Sequence, residues 1–160
     1  MVRPRIYLDT STISHLHQLD APDKMNETLA LWDDIKKGKY DVYLSDVGIT
    51  EILDNKSPKR EILVNHLEDI SYTLLSVTDE VYAYADKLIE LDILTQKSFD
   101  DCLHIGCAIV HRCNIILSWN FKHMVRVKTV NGVRSINAML GYHGIDIYPP
   151  NMMIERYDYD

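Results

Sequence analysis

The chain has 160 residues, 46% hydrophobic and 26% charged, with a formal net charge of −7. That is room for one domain with a self-sufficient core, and a composition near the soluble globular average argues against disorder or a fibrous architecture. The opening MVRPRIYLDT reaches an aspartate within nine residues, and no stretch approaches the ~18 uncharged apolar residues of a membrane helix, so neither an ordinary secretory signal nor a membrane span is expected and the cytoplasm is the expected compartment.

Arg5-Ile6-Tyr7-Leu8 predicts a short strand that runs into Asp9-Thr10-Ser11-Thr12, a polar cluster of the kind that ends a strand and caps a helix. From Asp23 to Lys37, apolar residues recur at helical spacing and Gly38 closes the run. Val42-Tyr43-Leu44 reads as a second strand, Asp46–Leu53 as a helix, and Ser57-Pro58 opens another helix through Ile70. A strand at Tyr72–Val77 then precedes a helix from Thr78 to Leu94.

Ser98 opens a helix with Phe99, Cys102, Leu103, Gly106 and Val110 on one face, ending near Cys113-Asn114. Ile115-Ile116-Leu117-Ser118 is a continuous apolar strand, followed by the Trp119-Asn120 turn and a polar, basic stretch. A helix near Ser135–Leu140 and a last strand at Ile145–Tyr148 complete the pattern. Strands alternating with helices imply a doubly wound parallel sheet, with residues 1–150 as a single domain and 151–160 as a loosely docked tail.

Cys102, Cys107 and Cys113 lack the paired spacing of a zinc site and read as reduced thiols on or beside a helix. The charge is unevenly spread: all 24 acidic residues lie in 1–101 and 146–160. Between Cys102 and Ile145 stand Arg112, Lys122, Arg126, Lys128, Arg134 and four histidines. A positive surface beside a carboxylate-rich cleft is therefore compatible with an acidic chain, as is a merely solvated face.

In an open parallel sheet, functional groups collect beyond the carboxyl ends of the strands. Asp9 ends the first strand, Glu51 lies just past the second, Asp101 is in the first turn of the helix before the Ile115 strand, and Asn120 is at that strand's exit. Together they make an oxygen-rich set suited to a hard divalent cation, which would also relieve the repulsion among close carboxylates. Each has a plainer reading: Asp9 as a helix cap, Glu51 as a surface carboxylate, Ser98-x-x-Asp101 as a capping box, Asn120 as a turn residue, His104 as a packing histidine. The chain has no GxGxxG, P-loop, HExxH or GxSxG.

At these residues the sequence resembles the PIN-domain family, and within it the VapC-like toxins of toxin–antitoxin pairs. Ile6–Ser11 is similar to the family's first strand and acid, SDVGITEIL to the segment of its second acid, Asp101-Cys102-Leu103-His104-Ile105-Gly106 to its aspartate-x-Leu-His-Ile-Ala pattern, and Leu117–His123 to the close of its site. Ser135–Ile147 continues the likeness, and Trp-Asn-Phe-Lys-His looks like a recurring subgroup. The resemblance implies a three-layer α/β/α fold with a central, mainly parallel sheet of about four or five strands. It implies an endoribonuclease that holds Mg²⁺ or Mn²⁺ on Asp9, Glu51 and Asp101 and leaves 5′-phosphate and 3′-hydroxyl ends.

Asn120 departs from the aspartate of many members and is expected to orient a ligand or water. Thr10, Ser118 and Asp100 are expected to support the acids, and Lys122, Arg126 and Lys128 to contact RNA phosphates. A small antitoxin and a homodimer are the implied partners. The rival readings are a nuclease for structured DNA and an RNA-binding or regulatory module with a feeble site.

Overall fold

The computed structural model describes residues 2–154. β1 (Arg5–Leu8) is followed by α1 (Thr10–Ser14), a 3₁₀ turn at His15–His17 and α2 (Pro22–Lys36). β2 (Asp41–Ser45), α3 (Asp46–Leu53), α4 (Lys59–Glu68), β3 (Thr73–Leu75) and α5 (Asp79–Glu90) follow. A 3₁₀ turn at Gln96–Ser98 leads into α6 (Phe99–Val110), and β4 (Ile115–Leu117), α7 (Val127–Leu140), β5 (Asp146–Tyr148) and a 3₁₀ turn at Pro150–Met153 complete the order. Of the tail expected at 151–160, residues 155–160 lie outside the described residues.

All pairings are parallel, in the order β3-β2-β1-β4-β5. Alternation along the strands divides the core in two. Tyr7, Ile116 and Ile147 join residues of α5, α6 and α7 on one side, while Ile6, Leu8, Val42, Leu44 and Leu117 meet α1, α2 and α4 on the other. A sheet covered on both faces explains why its strands read as apolar runs. The fold is thus the expected three-layer α/β/α architecture.

Strand order reverses between β1 and β4, where an open α/β sheet forms its crevice. The register pairs Leu8 with Leu117, so Asp9 and Ser118 leave the sheet side by side. No helix among the described residues is long and apolar enough to cross a membrane. The three cysteines are buried and free, with their thiol pKa values pushed up to about 12, chiefly by burial. Un-ionised thiols of this kind pack; they do not attack.

Several boundaries differ from the sequence reading by a few residues, and two of the differences have a clear cause. The helix expected to reach Leu94 stops at Glu90, because Asp92 turns left-handed (φ 58°) and the Leu88 carbonyl accepts from the amides of Ile93 and Leu94. Both residues thereby fold back into the core. The helix expected from Ser135 instead begins at Val127, with no side-chain cap at its start to advertise it. Its first turn is held by Thr129, whose buried hydroxyl donates to the His123 carbonyl at 2.6 Å and accepts from Arg126 Nε at 2.9 Å.

Gly132 on α7 lies directly against Ile93: an added methyl would sit 2.6 Å from the Ile93 side chain. Overpacking of this kind costs more than the roughly 1 kcal/mol of helix propensity that alanine offers over glycine. Gly132→Ala is therefore expected to destabilise the protein by about 1–2 kcal/mol in urea unfolding. A stabilised variant would contradict the packing described.

Candidate active site

Asp9 caps α1. Its Oδ1 accepts from the Thr12 amide at 3.0 Å and from Ser11 Oγ at 2.7 Å, and its Oδ2 accepts from Ser118 Oγ at 2.5 Å. The plain reading of Asp9 as a cap is correct, yet the same geometry fixes both oxygens of a buried carboxylate at the strand ends. Ser11 also accepts from the Trp119 amide at 2.9 Å, which ties the β4 exit to α1. Ser118, a residue the sequence reading singled out, is thus hydrogen-bonded to the Asp9 carboxylate.

Glu51 comes from the last turn and a half of α3, which is capped by Ser45 Oγ accepting from the Gly48 amide. Its Oε1 accepts from Thr10 Oγ1 at 2.9 Å and from His104 Nε2 at 2.7 Å. His104, from α6, is 2% exposed, and its Nδ1 lies 2.5 Å from the Tyr7 hydroxyl, which donates to Ser45 Oγ at 2.7 Å. His104 thus bridges the Tyr7 hydroxyl through Nδ1 and the Glu51 carboxylate through Nε2. Burial opposes the charge, but the Glu51 hydrogen bond and the fields of Asp9, Glu51 and Asp101 outweigh it and raise the imidazole's pKa. Burial likewise pushes Glu51 up, and the His104 bond reverses this, leaving its pKa lowered. His104 is more than packing: it orients Glu51.

Asp101 lies in the first turn of α6. The capping box expected with Ser98 does not form, because Ser98 ends the 3₁₀ turn with φ −103° and ψ 25° and makes no side-chain cap bond. The Asp101 carboxylate accepts no hydrogen bond among the described residues. Burial, with added repulsion from Asp9 and Glu51, raises its pKa to about 6 against the pull of His104 and His123.

Asp9, Thr10, Ser11, Glu51, Asp101, His104 and Asn120 line one open cleft of about 300 Å³, which His15 and Ser14 close on the α1 side. Larger hollows lie elsewhere, at Arg3–Thr73 and at Arg5–His143, but neither contains this chemistry. Among the described residues no group of three or more His, Cys, Asp or Glu side chains forms a ready metal cage. The donor set nevertheless fits a hard cation that keeps much of its water: Asp101 is uncommitted, Glu51 Oε2 is open, and the bonded oxygens of Asp9 retain a second lone pair.

The remaining candidates separate. Asn120 lines the cleft, but its Oδ1 accepts from the backbone amides of Lys122 at 3.1 Å and His123 at 2.9 Å. Its carbonyl is spent on the turn, and only the amide N–H groups are left for the cleft. Asp100 is exposed and outside the cleft lining. Lys122 and Lys128 are exposed, whereas Arg126 is held inside the fold by Thr129 and by the Ile93 carbonyl at 3.0 Å. The sequence reading also passed over Tyr7, Ser45 and Ser11; of these only Ser11, beside Asp9, had a local signal.

A carboxyl whose pKa is higher folded than unfolded costs stability as pH rises, the cost being absent below about pH 4 and complete above about pH 6 for Asp101. In metal-free protein Asp101→Asn should therefore raise stability by about 1–3 kcal/mol near pH 8 and by almost nothing near pH 4. Urea unfolding at the two pH values checks this, and an equal change at both would refute the raised pKa of Asp101.

No protein-family model matches the sequence, and no curated protein matches it. Solved structures do. A chain of VapBC2 from Rickettsia felis, in a complex bound to a DNA fragment from their promoter, aligns with a TM-score of 0.51 at 16% identity, covering 74% of this chain and 89% of that chain. At that identity the likeness speaks for architecture: the chain has a PIN-like α/β fold.

Proposed function

We propose that this chain is a divalent-metal-dependent endoribonuclease that hydrolyses RNA phosphodiester bonds as the toxin of a toxin–antitoxin pair, with Mg²⁺ or Mn²⁺ held by Asp9, Glu51 and Asp101. The observation that carries the reading is the meeting of three carboxylates from the end of β1, from α3 and from α6 in one open cleft at the reversal of strand order. Burial, with smaller repulsion from Asp9 and Glu51, raises the pKa of Asp101, and a bound cation would favour its charged form. When bound, the cation supplies Lewis-acid activation of water and offsets charge on the phosphoryl oxygens.

The chain's own residues do the rest by orientation. Ser118, Ser11 and the Thr12 amide hold Asp9, while Thr10 and His104 hold Glu51, leaving Asp101 open to the cleft. Asn120, its carbonyl engaged, offers N–H donors to a phosphate oxygen. Lys122 and Lys128 are the proposed phosphate contacts, since Arg126 is bonded within the fold. The likeness to a chain of VapBC2 supports a small antitoxin as partner. A homodimer is proposed on family resemblance alone.

A second reading has an observation in its favour. The absence of a ready cage among the described residues, and the engaged Asn120 carbonyl, suit an RNA-binding module with a feeble site. Calorimetry with Mn²⁺ and a cleavage assay on matched RNA and DNA separate the readings. The endoribonuclease binds Mn²⁺, cuts RNA in preference to DNA, and loses both binding and at least about 100-fold of its cleavage in Asp101→Asn. Parent protein that binds RNA but takes up no Mn²⁺ would leave the module reading in its place.

Ser118→Ala removes a support of Asp9, and is expected to lower Mn²⁺ affinity or cleavage by about 10–100-fold. Unchanged values would show that Asp9 needs no such support.

A further inference from the structure

Beside the cleft lies a cluster that the carboxylates do not explain. Trp119 is 6% exposed and pinned by its indole N–H, which donates to Thr28 Oγ1 at 2.8 Å. Thr28 and Lys24 lie one turn apart on α2, and Thr28 Oγ1 donates to the Lys24 carbonyl at 2.6 Å. The Lys24 ammonium sits 5.6 Å from the Trp119 ring centroid and 5.3 Å from that of Phe121. Both distances are within cation–π range.

His15 continues the strip toward the carboxylates. Its ring is 5.9 Å from that of Trp119, and its side chain lines the cleft. Phe121 ends the strip at the other side, 6.3 Å from Trp119 and one residue beyond cleft-lining Asn120. It is 49% exposed. The Asn120 carbonyl bonds to the Lys122 and His123 amides clamp the backbone on its far side.

We propose that Phe121, with Lys24 over its ring and half of its surface exposed, is a stacking subsite for one unpaired nucleobase of a strand whose backbone crosses the carboxylate cleft. The ligand class is single-stranded RNA, and the assignment rests on the nuclease reading given above. A flat aromatic face offers stacking to any base at little entropic cost, and the cation over it can meet the adjoining phosphate. A paired base cannot use the subsite, because its faces are already stacked in the duplex. The platform thus selects for unpaired RNA while the carboxylates carry the chemistry.

The test measures binding of a short fluorescent RNA by anisotropy, with full-length protein in the Asp101→Asn background to prevent cutting. Cleavage by the parent protein in Mn²⁺ is followed in parallel. Phe121→Leu keeps apolar bulk and loses the π face, so it should weaken single-strand binding by about 5- to 100-fold. Phe121→Tyr keeps the face and should stay within about twofold of the parent. Lys24→Met should weaken binding and reduce its salt dependence by about one counterion.

Equal binding by Phe121→Leu and Phe121→Tyr would overturn the subsite, as would equal affinity for a duplex of the same sequence. If the parent cuts RNA while Phe121→Leu binds normally, the subsite alone fails. If the parent neither binds nor cuts RNA, both the subsite and the nuclease reading fail.

Discussion

The pairing of Leu8 with Leu117 is the constraint on which the cleft depends. It brings the ends of the two central strands together, so that Ser118 Oγ meets Asp9 Oδ2 and the Trp119 amide meets Ser11. Because a parallel ladder fixes every side chain's face by its register, a slip of one residue would turn Asp9 out of the cleft and bury a different side chain there. The site is therefore held by side-chain hydrogen bonds that begin where the β1–β4 ladder ends.

A second column of contacts runs through the layer of α6. Gly48, Ser45, Tyr7, His104 and Glu51 are linked in turn, from the α3 cap through the sheet to the cleft. A buried imidazole in such a chain is worth its desolvation only when each polar atom has a partner, and here each does. The arrangement converts a long, flexible glutamate into one with a fixed Oε1, leaving the other oxygen for the cleft. Asp101 is the opposite case, half-buried, crowded by like charge and without a hydrogen-bond donor among the described residues. That contrast between a supported pair and an unsupported third acid leaves Asp101 the one open to the cleft.

Much of this was legible in the sequence. The apolar strands, the cap at Asp9, the placing of Glu51 past a strand end and that of Asp101 in the first turn of a helix follow from local rules, and topology then brings the acids together. What was hidden depended on partners distant in sequence. His104 lies on a buried helix where periodicity cannot distinguish a packing residue from one that aims a carboxylate. Asn120 looked like a ligand because its carbonyl could not be seen bonding its own turn. Ser98-x-x-Asp101 matched a capping box in pattern, but the preceding 3₁₀ turn denies Ser98 the extended backbone a cap needs. The start of α7 had no cap residue to mark it, so a basic stretch read as loop proved to be helix and drew Arg126 into the fold.

Two features with different origins thus adjoin: a carboxylate cleft made by strand ends, and an aromatic strip made where the β4 exit packs on α2. The first rests on hard oxygen donors and the second on flat apolar surface, which is the division of labour expected when one part of a site acts on phosphate and another holds a base. The claim beneath both is that a divalent cation occupies the cleft. Anomalous diffraction from crystals grown with Mn²⁺ tests it most directly: the account predicts a peak bounded by Asp9, Glu51 and Asp101 carboxylate oxygens, and a map with no peak in the cleft at saturating Mn²⁺ would contradict it.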